Sequence, residues 1–238
     1  MQFQHPMRVV LLDLDGTLTQ SHPGIIACVT KTFEELGRPV PDHAELMRFI
    51  GPAIVESFAR NGIPEGEEME RAVRIYRHYY SDEATFEDPK HPGHKVAGRL
   101  YNSVYEGIPE QLQRLRDDGY MLAVATCKPE PQALVVCDYF GIADMVDGIY
   151  GASMDRSRLE KDQVITYCFS SIGFDPAQDH AVMVGDRWTD MDGARKCGIP
   201  ALGCRWGYAE PHELEEHGAT AIIDRVDELH DAAVALLR

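Results

Sequence analysis

Apolar residues follow two different rhythms along this chain. From Val9 to Leu12 they run without a break and stop at Asp13, Leu14, Asp15, Gly16 and Thr17, as in a strand buried on both faces that leaves its sheet through a polar turn. The next region has helical spacing: Ile25, Ile26, Val29, Phe33 and Leu36 recur on one face, and Gly37 marks a stop. Asp42 reads as the N-cap of a helix over 42–49, Gly51 and Pro52 break it, a third helix runs to Arg60, and 65–85 reads as a long charged helix. No strand pattern occurs between Leu18 and Tyr105, and 86–105 has the Pro and Gly content of a linker. Beyond it the rhythm alternates. Helices are expected over 109–117, 130–139, 160–171, 189–196 and 226–237, and strands over 120–125, 145–150, 181–184, 200–203 and 221–223. Such alternation predicts an α/β domain with a parallel sheet covered on both faces, built from 1–18 and 107–238 and interrupted by an all-helical domain, 19–106, with hinge linkers.

Length and charge narrow the partners. A chain of 238 residues can bury a large core and a smaller second one. With 23 basic against 39 acidic residues and a formal charge of −16, neither a nucleic acid polymer nor an anionic membrane is an expected partner. Cys28, Cys127, Cys137, Cys168, Cys197 and Cys204 form no C-x-x-C and no zinc spacing, which suits reduced thiols in the cytoplasm. No apolar run approaches the roughly 20 residues of a membrane span. MQFQHPM lacks the basic and apolar regions of an export signal, so a cytoplasmic location is expected.

Chemistry-bearing residues gather at predicted strand ends. In open α/β sheets ligands bind outside the carboxyl ends of the strands, where Asp13 and Asp15 fall two apart and hence on one side. Gly16 permits the turn, and Thr17 offers a hydroxyl and an N–H to an anion. An isolated Asp-Gly pair would read only as a turn, but the whole string RVVLLDLDGTLT carries more. Thr126 follows the apolar run 122–125 and can offer its hydroxyl and amide to an oxyanion. After 181–184 and Gly185, Asp186 and Asp190 stand four apart as a helix begins, so both can face one point. Asp192 falls on another side and reads as solvated, and Trp188 as a packing residue.

Together RVVLLDLDGTLT, Thr126 and AVMVGDRWTDMDGA resemble the motifs of the haloacid dehalogenase (HAD) superfamily of phosphotransferases, and Lys161 in EKDQVI resembles its third-motif lysine. YEGIPEQLQRLRDDGY and WGYAEPHEL are similar to phosphoglycolate phosphatase-like members. The resemblance implies a Rossmann-like core with a helical cap domain. It implies Asp13 as nucleophile, Asp15 as general acid and base, and Lys161 as the catalytic cation. Lys128 is the rival for that last role, read as structural or at the rim. Gly16, Thr17, Thr126 and Lys161 are the implied contacts to the phosphate. Asp13, Asp15 through its backbone carbonyl, Asp186 and Asp190 are the implied holders of Mg²⁺, with Asp190 either completing the outer shell or orienting Lys161. All-oxygen ligation suits Mg²⁺ better than zinc. Four carboxylates at one place also require a cation on Coulomb grounds.

The implied activity is Mg²⁺-dependent hydrolysis of a small-molecule phosphate monoester through an aspartyl phosphate, by a monomer or homodimer. A nucleoside monophosphate 5′-phosphatase, a sugar-phosphate mutase and a phosphonate hydrolase are alternatives within the superfamily. Phosphonate hydrolysis requires a cap lysine for an imine, and Lys31 stands in no matching pattern. A dehalogenase needs neither an acid at Asp15 nor Mg²⁺, and a degenerate HAD binding module or a receiver-type phosphoacceptor needs no cap. Cys127 stands where many relatives have Asn, and 88–98 is longer than the usual return linker. Arg48, Gly51 and Pro52 are the weak candidates for contacting a leaving group.

Overall fold

A computed structural model describes residues 6–51, 53–155 and 157–237. Pro52 and the first five residues of MQFQHPM, with the readings attached to them, lie outside that set. The chain divides into two compact units, one formed by Met1–Thr19 with Val104–Arg238 and the other by Gln20–Ser103.

Strand β1 (Arg8–Leu12) opens the first unit. The second unit then contributes α1 (His22–Leu36), α2 (His43–Met47), α3 (Ile54–Arg60) and α4 (Glu67–Arg77), the last continued by a π-helical turn over His78–Asp82. Asp42 caps α2 as expected, its carboxylate accepting the Glu45 N–H at 2.9 Å. The apolar faces of these helices meet in an aromatic cluster, with ring centroids 6.0 Å apart for Phe33 and Phe58, 5.7 Å for Phe49 and Phe58, and 6.2 Å for Phe58 and Tyr76. This unit is not all-helical: β2 (Phe86–Glu87) and β3 (Lys95–Val96) pair antiparallel, Phe86 opposite Val96. Two-residue strands around Pro89 and Pro92 are too short to show any periodicity. Their connection is closed by Asp88, whose N–H donates to the His94 carbonyl at 2.9 Å. The two ends of the unit are joined, the Gln20 N–H donating to the Ser103 carbonyl at 2.8 Å. Thr19 and Val104, at the neighbouring ends of the first unit, form an isolated antiparallel bridge.

The first unit resumes with α5 (Ile108–Asp117), β4 (Met121–Pro129), α6 (Glu130–Tyr139), β5 (Gly148–Ala152) and α7 (Lys161–Ile172). It is completed by β6 (His180–Gly185), α8 (Trp188–Lys196), β7 (Ala201–Cys204), α9 (Glu213–Glu216), β8 (Ala221–Ile223) and α10 (Leu229–Leu236). The six long-range strands pair in parallel in the order β5-β4-β1-β6-β7-β8. Leu12 lies opposite Val124 on one side and Val184 on the other, and Val9 to Leu12 are fully buried. A central strand covered on both faces has no polar side to show, hence its unbroken apolar run. The strand order turns back at β1, which puts the switch-point crevice outside the carboxyl ends of β4, β1 and β6.

Two elements differ from expectation in ways that bear on the site. Strand β4 continues to Pro129 rather than stopping at 125, and a turn over Ala143–Met145 delays β5 to Gly148. Among the described residues no helix is long and apolar enough to cross a membrane.

Candidate active site

Three neighbouring strands deliver the site. Asp13 follows β1, Thr126 lies within β4, and Asp186 follows β6; the Asp13 N–H also donates to the Val184 carbonyl at 2.9 Å, holding the end of β1 against β6. Asp190 comes from the first turn of α8 and Lys161 from the start of α7. One carboxylate oxygen from each of Asp13, Asp186 and Asp190 lies within 4.8 Å of the others, and all three residues are buried. Lys161 is buried with them, its Nζ 2.9 Å from Asp13 Oδ1 and 2.6 Å from Asp190 Oδ1, and it donates to the Ala125 carbonyl at 2.8 Å.

Asp186, Asp190 and Lys161 are perturbed by their surroundings. Burial raises the Asp186 carboxyl well above the ordinary carboxylate range, and Asp13 and Asp190 raise it further, against the pull of the Tyr208 N–H and the Thr17 hydroxyl. Burial likewise lifts Asp190, with Lys161 opposing. For Lys161 burial works against the charge, but Asp13 and Asp190 outweigh it and keep the ammonium protonated. Three buried carboxylates facing one lysine leave negative charge in excess. An all-oxygen donor set with that surplus fits a small hard dication such as Mg²⁺.

Asp15 is held apart from this cluster. Its Oδ2 is 2.6 Å from Lys128 Nζ, and its Oδ1 is closed to water with no hydrogen-bond partner among the described residues. Of the two readings of Lys128, structural or at the rim, the burial fits the first: only 4 % of its side chain is exposed. Strand β4 runs on past Thr126 through an irregularity in its pairing with β5 between Thr126 and Pro129, and the Lys128 N–H turns back to the Thr126 hydroxyl there at 3.2 Å. Asp15 does not bring its carboxylate to the triad.

The turn after β1 corrects two further expectations. The Gly16 N–H donates to the Thr19 carbonyl at 2.8 Å and is not free for a phosphate oxygen. What Gly16 supplies is room: its φ is +89°, and a Cβ there would stand 2.1 Å from Asp186 Oδ2. The Thr17 hydroxyl also turns inward, donating to Asp186 Oδ1 at 3.0 Å, so only its amide, unused by the bonds of the turn, faces an anion role. Thr126 is buried, and its hydroxyl accepts the Lys128 N–H at 3.2 Å, which leaves its own proton to donate. Cys127 lies close enough to feel Lys161 and Asp13, and burial pushes its thiol up to about 12. Asp192 lies away from the cluster, bound by Arg195 at 2.7 Å and His217 at 3.2 Å, while Trp188 is 40 % exposed and leans on the His217 ring.

Comparison with known proteins shows the family. A family model for haloacid dehalogenase-like hydrolase matches residues 10–204. Tyrosine-protein kinase PtkA of Mycobacterium tuberculosis is 34% identical over 227 residues, 94% of this chain and 72% of that protein. A 5′-nucleotidase of Pseudomonas aeruginosa is 34% identical over 212 residues, 89% of this chain and 88% of its own. Among solved structures, a predicted phosphatase from Clostridium acetobutylicum superposes with a TM-score of 0.82 at 33% identity, covering 98% of this chain and 100% of that one.

Proposed function

This chain belongs to the haloacid dehalogenase-like hydrolases and is a phosphatase of that family, and we propose that it hydrolyses small phosphate monoesters in a Mg²⁺-dependent reaction through a phosphoaspartate on Asp13. The observation that carries the reading is the convergence of Asp13, Asp186, Asp190 and Lys161 beside a separately held Asp15. Mg²⁺ held by Asp13, Asp186 and the Asp15 carbonyl would neutralise charge on the phosphoryl oxygens, with Asp190 shared between that cluster and Lys161.

Asp13 attacks phosphorus as the bond to the ester oxygen breaks, and the alkoxide takes a proton from Asp15. Water then attacks the phosphoaspartate, Asp15 takes back a proton, and phosphate leaves with Asp13 restored. Lys161 offsets the charge on Asp13 and on the phosphoryl oxygens, and the Thr17 amide and Thr126 hydroxyl donate to those oxygens. Lys128 holds Asp15 by Oδ2, and Oδ1 has no hydrogen-bond partner among the described residues. The second unit, Gln20–Ser103, corresponds to the inserted cap domain that the family resemblance implies. Phosphoglycolate, sugar phosphates and nucleoside monophosphates are the substrate candidates, the last supported by a relative of equal identity to the kinase that is named a 5′-nucleotidase.

A panel of these esters, assayed for phosphate release with Mg²⁺ and with EDTA, tests the reading; an arm with ATP and a tyrosine peptide covers the activity named for the kinase relative. Phosphate release that vanishes on chelation and returns with Mg²⁺ is expected, with one ester class preferred. Release indifferent to chelation would overturn it.

A further inference from the structure

The segment 206–213, which includes most of WGYAEPHEL, leads from β7 into α9 and has no part in the chemistry above. We propose that it is a positioning strap that fixes Asp186 in the orientation a divalent cation requires. The inference rests on the cation site of the proposed function.

Both oxygens of Asp186 are set by this strap or by what it holds. The Tyr208 N–H donates to Asp186 Oδ2 at 2.8 Å. On the other oxygen, the Thr17 hydroxyl donates to Oδ1 at 3.0 Å, and Thr17 is itself held by the Trp206 ring N–H, which donates to its carbonyl at 3.1 Å. Between them the backbone of Gly207 presses on the carboxylate: a Cβ there would lie 2.3 Å from Asp186 Cβ and 2.4 Å from Oδ2. Its φ is outside the left-handed region, so Asp186, and not backbone strain, is what excludes a side chain at 207.

The strap is anchored at both ends. The Tyr105 hydroxyl donates to the Trp206 carbonyl at 3.1 Å. At the far end Glu213 is buried, its Oε1 accepting from Arg187 Nε at 2.8 Å and the Trp188 N–H at 2.7 Å, and its Oε2 accepting the Glu210 N–H at 3.0 Å. One segment thus ties the turn after β1 to Asp186 and to the start of α8, which carries Asp190. Groups that orient metal ligands from outside the coordination sphere are worth about 10–100-fold in metal affinity.

The test is Mg²⁺ binding without substrate. Wild type and Gly207→Ala, stripped with EDTA and dialysed, are titrated with MgCl₂ by calorimetry, and thermal midpoints are recorded with and without the metal. The expected result is a dissociation constant about 10–100-fold weaker for Gly207→Ala, together with a lower metal-free midpoint from the overlap with Asp186. A purely structural contribution would lower the metal-free midpoint and leave the constant alone. Equal constants for the two proteins would overturn the inference, whereas a wild type that binds no Mg²⁺ would remove the cation site itself. If Gly207→Ala does not fold, Trp206→Phe decides: it keeps the bulk of the ring and loses only the N–H to Thr17, and an unchanged constant there overturns the strap.

Discussion

The carboxyl edge of the sheet and the centre of the second unit are both closed to water but filled with opposite material. Asp13, Lys128, Lys161, Asp186 and Asp190 at the edge are each no more than 8 % exposed, and Phe33, Phe49 and Phe58 in the second unit no more than 2 %. Burying a large apolar side chain stabilises a fold by about 1.5–3 kcal/mol. Burying a carboxylate costs free energy that only a well-placed partner offsets. Stability and chemistry are therefore concentrated in different places, and substitutions should pull them apart.

Asp13→Asn gives the largest separation. Turnover should fall by at least about 10⁴-fold, since no other group can form the covalent intermediate. The thermal midpoint of the metal-free protein should hold or rise, because one of three mutually repelling carboxylates is gone. Phosphate release within tenfold of wild type from homogeneous protein would break the assignment.

Asp15→Asn should reduce hydrolysis of an alkyl phosphate by about 10²–10⁴-fold. The loss should be smaller with p-nitrophenyl phosphate, whose leaving group departs without a proton, and phosphorylated Asp13 should build up enough to detect by intact mass after an acid quench. Equal losses on both substrates would remove Asp15 from the role of acid.

Phe58→Ala reverses the signs. Deleting a buried ring from the aromatic cluster should lower the unfolding free energy in urea by about 3–5 kcal/mol. Turnover of p-nitrophenyl phosphate by the folded fraction should change far less than in either aspartate variant. A catalytic loss as large as that of Asp15→Asn would show that the two regions are not separable.

The smallest effect is expected at Glu213. Burial alone would raise its carboxyl, but the Arg187 guanidinium and the amides of Glu210 and Trp188 outweigh that and hold it below its ordinary 4.5. Its stabilisation is therefore present above about pH 4.5 and lost as pH falls through the folded-state value. Glu213→Gln should be less stable than wild type at pH 7, with the gap closing in acid. Denaturant midpoints at several pH values check it, and a gap independent of pH would mean that the charge does not matter there.

How legible each region was follows from how its residues are exposed to pattern. Strand β1 could be read because a central parallel strand has no polar face, and Asp186 and Asp190 because a spacing of four at a helix start has a fixed geometric meaning. Lys128 reads as structural or at the rim, and its ion pair with Asp15 was not legible because nothing in MLAVATCKP shows that the strand continues beyond Ala125. Gly16 and Thr17 look like an anion cradle in sequence, yet their main neighbour is Asp186, 169 positions beyond Thr17, an approach that only the β1–β6 pairing creates. Tyr208 left no signal, since its contact to Asp186 is made by a backbone N–H that any residue except proline would supply. The β2–β3 ribbon was hidden by its brevity.

The hydrogen bond from Gln20 to Ser103 and the Thr19–Val104 bridge also bear on the order in which the protein assembles. Strand β1 is made first on the ribosome, but its neighbours β4 and β6 arrive only after the whole of Gln20–Ser103. Bringing the two ends of a flexible loop of about 80 residues together costs about 4 kcal/mol by the (3/2)RT ln n rule. A second unit that folds first, with its ends already joined, removes most of that entropy before β1 meets β4. An insertion that closes its own ends would in that way shorten the effective loop between β1 and β4.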